Sequence, residues 1–96
     1  SKFPTVNREL NFLIDTKIGF SSIQKLIMRQ SHIKYLESMS LSDVYQDDRL
    51  PEGKKSYTLS FNLMDKTKTL SEKEISSSMS KIQSKIENEF SASLRS

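Results

Sequence analysis

The sequence predicts an α+β sandwich in which a four-stranded antiparallel sheet carries two helices on one face, its elements running in the order βαββαβ. Three observations predict it. Two stretches, 5–15 and 56–63, alternate apolar and polar residues with the period of a strand buried on one side. Two others, about 21–31 and the run that follows Ser71, repeat their apolar residues with the period of an amphipathic helix. Between the second and third strands lies a short charged connection punctuated by Pro51 and Gly53, the chemistry of a hairpin.

The first strand is TVNRELNFLID. Leu10, Phe12 and Ile14 fall on one face and Glu9, Asn11 and Leu13 on the other. Thr16, Lys17 and Gly19 break it, and Ser21 or Ser22 is the expected helix cap. Ile23, Leu26, Ile27 and Gln30 then follow at i, i+3, i+4 and i+7. His32 lies just past this helix, a polar group favoured by the helix dipole, and takes no catalytic role. The second strand is expected from Ile33 to Tyr45. Met39 and Leu41 are in phase and Val44 is out of phase, so a β-bulge near Ser40 to Ser42 is expected to turn Val44 inward and Asp43 and Tyr45 outward.

The third strand places Tyr57, Leu59, Phe61 and Leu63 on a greasy face and Ser56, Thr58, Ser60 and Asn62 on a small polar one. Ser71 and Glu74 form a capping box, and Ile75, Met79, Ile82, Ile86 and Phe90 trace the buried stripe of the second helix, leaving the run SSSMS on its solvent side. The final ASLR adds a short edge strand. Right-handed crossovers put both helices on one face, which is the ferredoxin-like, split βαβ arrangement. Its other face stays open, lined by Asn11, Ser56, Thr58, Ser60 and Asn62 with Tyr45 at the margin. A hairpin turning about Arg49 and Leu50 would set Asp43 opposite Ser56.

Bulk properties limit what such a domain does. The 96 residues form one domain, 1–96, and the start at Ser1 rather than Met suggests an excised fragment or a cloning remnant, so a longer parent is expected. There is no cysteine and a single histidine, so neither a disulfide framework nor a thiolate zinc site is available. No apolar run approaches the roughly 18 residues that span a bilayer, and a soluble intracellular protein without a membrane partner is expected. Fifteen Lys and Arg against twelve Asp and Glu give a net charge of +3, which permits a polyanionic partner without demanding one. Residues 1–34 hold six basic side chains and two acids, whereas 35–52 is acidic.

An enzyme needs a nucleophile with its base, a metal, or paired carboxylates in apolar surroundings, and none is convincingly placed. Asp47 and Asp48 read as solvated turn residues. Acylphosphatases share the fold class but need a glycine-rich anion loop with an arginine after the first strand, and DTKIGF is a poor substitute. Binding of single-stranded RNA uses what is present. Tyr45 offers a stacking platform, Lys54 and Lys55 offset phosphate charge, and Ser56 adds a small donor or acceptor. The Asp43 carboxylate can accept two hydrogen bonds from the N1–H and N2–H2 edge of guanine, a donor pair the other bases lack. The competing account is a ferredoxin-like regulatory or protein-interaction domain without RNA binding. In it Tyr45 covers the core edge, Asp43 pairs with a lysine and the hairpin merely turns.

The opening FPTVNREL, the hairpin SDVYQDDRLPEGKKSY and the later TLSEKEI resemble, in order and spacing, the C-terminal ferredoxin-fold anticodon-binding domain of bacterial-type phenylalanyl-tRNA synthetase beta subunits. The resemblance covers essentially the whole chain. It implies an appended RNA-binding domain that grips the anticodon loop of phenylalanine tRNA and catalyses nothing itself. The parent would be a cytoplasmic alpha-2 beta-2 heterotetramer whose alpha subunit performs the ATP-dependent ligation with ATP and Mg; the fragment itself would hold no cofactor. It further implies that the first anticodon base, a guanine, lies against Tyr45 near Asp43 and Ser56, with Asn11 helping to form the bed. Three positions depart from the family pattern. Ser42 stands where many relatives have phenylalanine, so looser packing behind Asp43 is expected; Asn11 replaces a commonly smaller residue; and Ser91 follows the last helix where a glycine is usual.

Overall fold

The computed structural model describes residues 3–95, so Ser1, on which the expectation of an excised terminus rests, lies outside the described residues. The elements are β1 (Val6–Asp15), α1 (Phe20–Gln24) running on into a π-helical segment (Lys25–Gln30), β2 (Leu36–Tyr45), β3 (Lys54–Leu63), α2 (Glu72–Phe90) and β4 (Ser93–Leu94). The sheet is antiparallel in the order β2-β3-β1-β4, so each helix bridges two strands separated by a third, as the split βαβ pattern requires.

Alternation in β1 and β3 dictates the layers. Phe12, Ile14, Leu59, Phe61 and Leu63 have no exposed surface and pack with Ile23, Ile27, Ile82 and Ile86 of the helices, or, for Leu63, with Leu70 and Ile75. Burying each such side chain contributes about 1.5 to 3 kcal/mol. The α2 stripe forms as its periodicity indicates, with one amendment. Ser78, from the serine-rich run, is buried, and its hydroxyl donates to the Lys34 carbonyl at 2.8 Å. The capping box at Ser71 and Glu74 is complete, and Leu70 and Ile75 pack across it as a hydrophobic staple.

Four local features differ from expectation. The first helix is capped by Gly19 in an extended conformation with no side-chain hydrogen bond, while Ser21 and Ser22 lie within its first turn. It widens into π-helical winding from Lys25, which leaves Gln30 exposed while Ile23 and Ile27 remain buried, and Ser31 Oγ donates to the Leu26 carbonyl at 2.7 Å. The second strand begins at Leu36, not Ile33, because His32 and Tyr35 take left-handed φ values of 51° and 68°. Finally, the bulge at Ser42 is present, but Val44, although opposite Tyr57 and so on the helix side, is 49% exposed at the end of the edge strand.

Glu74 ties several of these pieces together. Beyond its part in the capping box, it accepts from the Tyr35 hydroxyl at 2.9 Å and pairs with Lys68. The Lys68 ammonium, with help from the Ser71 amide and the Tyr35 hydroxyl, holds its carboxyl well below the usual range, to about 2. A carboxylate whose value is depressed on folding stabilises the fold above its unfolded value, and that contribution is lost as pH falls toward the folded one. Stability is therefore expected to fall as pH drops from about 5 toward 2, and Glu74→Gln should flatten that part of the profile in urea titrations. An unchanged slope would remove Glu74 from its cause.

Ser91, the C-cap of α2, sits at φ 54°, where a side chain is strained and glycine is not. Relief of that strain, less the entropy glycine gains when unfolded, should make Ser91→Gly more stable by about 0.5 to 1 kcal/mol. Thermal unfolding checks it, with a lowered midpoint counting against the strain.

Candidate nucleic-acid interface

The face of the sheet opposite the helices is built by the same alternation that builds the core. Asn7, Glu9 and Asn11 of β1 stand opposite Asn62, Ser60 and Thr58 of β3, all short and polar. They are already bonded to one another. Asn11 Nδ2 lies 2.9 Å from Ser56 Oγ and 2.6 Å from Thr58 Oγ1, and Asn7 Nδ2 donates to Ser60 Oγ at 2.7 Å and Asn62 Oδ1 at 2.9 Å. Cross-strand bonds of this kind hold the face flat and hydrophilic. Asn11 is thus the bridge between two hydroxyls of the neighbouring strand.

The bulge places the acid and the aromatic. Extra residues in β2, between Leu36 and Ser38 and between Leu41 and Asp43, shift the register so that Asp43 lies opposite Thr58 and Tyr45 opposite Ser56. The expected pairing of Asp43 with Ser56 is therefore corrected by one step along the face, because the pairing beyond the bulge is symmetric about Leu50 and Pro51, not about Arg49 and Leu50. Between the paired Tyr45 and Ser56 the chain turns with Leu50 N–H donating to the Asp47 carbonyl, Lys54 N–H to the Pro51 carbonyl, and Gly53 at φ 78°. Asp43, Tyr45, Asn11 and Ser56 still share the open face. Ser42, the bulged residue, projects onto it as well and donates to Glu9 Oε2 at 2.7 Å, which pins the bulge across the small Ser60.

Among the described residues, the Asp43 carboxylate takes no hydrogen bond and no ion pair, and it is exposed. Its acceptor oxygens are free for a ligand. Tyr45 lies on the open face rather than over the core edge and is half-buried. Lys54 is on this face too, opposite Asp15.

Lys55 does not belong to the site. It stands opposite Ile14 on the helix side of the sheet, is 8% exposed, and its ammonium donates to the Thr16 carbonyl at 3.1 Å and the Tyr57 hydroxyl at 3.0 Å while lying 4.2 Å from the Tyr57 ring centroid. The physical reason is parity. Lys55 shares the phase of Tyr57 and Leu59, so its side chain stabilises the end of the core and is not offered to phosphate. Ser56 is on the right face but only 1% exposed, and its hydroxyl is occupied by Asn11 and, at 3.4 Å, by Arg95 Nη1.

Two arginines outside the expected site complete the surroundings of Tyr45. Arg49 donates from Nη2 to the Tyr45 hydroxyl at 2.8 Å and is held in place by Asp47, at 3.1 Å from Nε to Oδ1. The Arg49 contacts in turn lower the Asp47 carboxyl to about 2. Arg95 reaches from the end of β4 across β1, and its guanidinium lies 5.3 Å from the Tyr45 ring centroid. The spacing Tyr45 to Arg49 was a visible cue for the first; the second joins opposite edges of the sheet and has no local signal. A concavity of about 420 Å³ lies inside the 46–54 connection, but Asp47, Asp48 and Glu52 line it, a poor setting for phosphate.

Comparison with known proteins agrees with this geometry. A model of the ferredoxin-fold anticodon binding domain matches residues 1–95. The chain is similar to the phenylalanine–tRNA ligase beta subunits of Bacteroides fragilis, at 44% identity over 95 residues, and Legionella pneumophila, at 40% over 95 residues. It is also similar to that of Clostridium acetobutylicum, at 37% over 94 residues. These alignments take in 98% to 99% of this chain but 12% of each relative, so the chain spans only a small part of the proteins it matches. By its sheet topology, its open polar face and a match along nearly its whole length, the chain belongs to the ferredoxin-fold anticodon binding domain family.

Proposed function

We propose that the chain is a single tRNA-binding module of a longer phenylalanine–tRNA ligase beta subunit, gripping the anticodon loop of phenylalanine tRNA on its open sheet face. The observation that carries the reading is the unpaired Asp43 carboxylate standing on one face with the Tyr45 ring and the bonded bed of Asn11, Ser56 and Thr58. A base laid on Tyr45 gains stacking, and a guanine whose N1–H and N2–H2 edge meets Asp43 gains two charge-assisted hydrogen bonds. Lys54 and Arg49 supply the positive charge that the neighbouring phosphates require. Ser56 and Asn11 shape the bed, while Lys55 contributes to stability alone. The chain catalyses nothing in this reading. ATP-dependent ligation, with its ATP and Mg, falls to the alpha subunit of a cytoplasmic alpha-2 beta-2 assembly, and no residue here is assigned to those groups.

Titration with a stem-loop RNA carrying the phenylalanine anticodon tests the reading. Binding should weaken with salt, each phosphate contact adding about 0.7 to the slope of log affinity against log salt. Absence of binding at low salt would favour a regulatory or protein-interaction role. Tyr45→Ala should cost about 1 to 3 kcal/mol of binding as a stacking partner is lost. Asp43→Asn should chiefly erode the preference for guanine over adenine at the first anticodon position. If both variants bind like the original, the RNA lies elsewhere on the molecule.

A further inference from the structure

We infer that Arg95 is the second wall of a base-stacking slot whose first wall is Tyr45, and that the unliganded protein keeps the slot closed by resting the one on the other. The inference rests on the anticodon-binding reading and deepens it. The Arg95 guanidinium lies 5.3 Å from the Tyr45 ring centroid and 3.4 Å from Ser56 Oγ, so it occupies the space above the bed that a base on Tyr45 must enter. Ser56, at 1% exposure and bonded to Asn11, is the floor beneath that guanidinium.

The two walls differ in how firmly they are held. Tyr45 is fixed at its far end by the 2.8 Å bond from Arg49, itself paired with Asp47, and at its backbone by the pairing with Ser56. Arg95 follows a strand of two residues and is exposed; its backbone N–H is anchored to the Asn11 carbonyl at 2.8 Å, but among the described residues its side chain meets the face through the ring contact and a long hydrogen bond alone. Arg95 is therefore the part that yields, as lightly held segments do. A base sandwiched between ring and guanidinium needs two van der Waals contacts, about 7 Å in all, so the guanidinium has to retreat by about 2 Å. Arginine suits this place because its planar cation stacks on a base as it does on a tyrosine. Its retreat opens the face of the Tyr45 ring to the base, while Ser56 stays bonded to Asn11 beneath it.

The test compares the chain with Arg95→Ala and Arg95→Lys, each titrated with the anticodon stem-loop and with the same stem-loop made abasic at the first anticodon position. Arg95→Ala should weaken the intact RNA by about three- to thirtyfold and leave the abasic RNA unaffected. Arg95→Lys, which keeps the charge without the plane, should stay near the alanine variant on intact RNA. Equal weakening on both RNAs would make Arg95 a phosphate contact or a structural residue, and tighter binding of intact RNA by Arg95→Ala would make it a competitor of the base; either overturns the inference. If the unsubstituted chain does not prefer intact to abasic RNA, the Tyr45 site itself fails and the slot with it. If it does and Arg95→Ala keeps that preference, the slot alone fails.

Discussion

Everything in this domain depends on the pairing of β1 with β3, unbroken from Val6 opposite Leu63 to Asp15 opposite Lys54. Ten consecutive pairs without a bulge keep the two faces separate along their length. One face supplies Phe12, Ile14, Leu59, Phe61 and Leu63 to the core, and the other supplies polar side chains apart from Leu13. A slip of one residue would exchange the faces, burying Asn11 and Thr58 and exposing two phenylalanines, so the register is strongly specified by burial alone. The binding face is thus a by-product of the core: wherever the core demands an apolar residue, its neighbour is turned to the open side.

Against this regular pair, β2 is deliberately irregular. Its two register shifts let an edge strand satisfy the core with Met39 and then change phase, so that an acid and an aromatic emerge together at its end. Ser42 shows how the bulge is held. The serine reaches over the face to Glu9 and fixes the bulged residue by a hydrogen bond. The change of phase was legible because Met39, Leu41 and Val44 cannot all lie on one face of an unbroken strand.

What the sequence disclosed, and what it withheld, follows from the range of the interactions involved. Strand alternation, the capping box and the bulge are local patterns, and each was readable within a few residues. Lys55 was readable too, since it shares the parity of Tyr57, yet a pair of adjacent lysines invites treatment as a single patch. The pairing of Asp43 was misplaced because register depends on turn geometry, and the turn through 46–53 is closed by backbone bonds that composition does not encode. The π-helical winding after Gln24 and the left-handed Tyr35 have no such local pattern. Arg95 lies at the other edge of the sheet from Tyr45, and no spacing rule connects them.

The cluster around Glu74 and the cluster around Tyr45 lie at opposite ends of the sheet. Glu74 binds the turn before β2 and the entry to α2 near Leu63, whereas Tyr45 and Ser56 stand where β2 ends and β3 begins. Rigidity and recognition are thereby assigned to separate ends of one small body. Asp43, Arg49 and Arg95 are exposed and Tyr45 projects from the uncovered face, so none of these side chains is a member of the hydrophobic core. Replacing them alters what the face selects while the scaffold keeps its anchorage. A lineage that needed to read a different base would have to rewrite a handful of surface positions, with the usual conflict between stability and new function largely avoided.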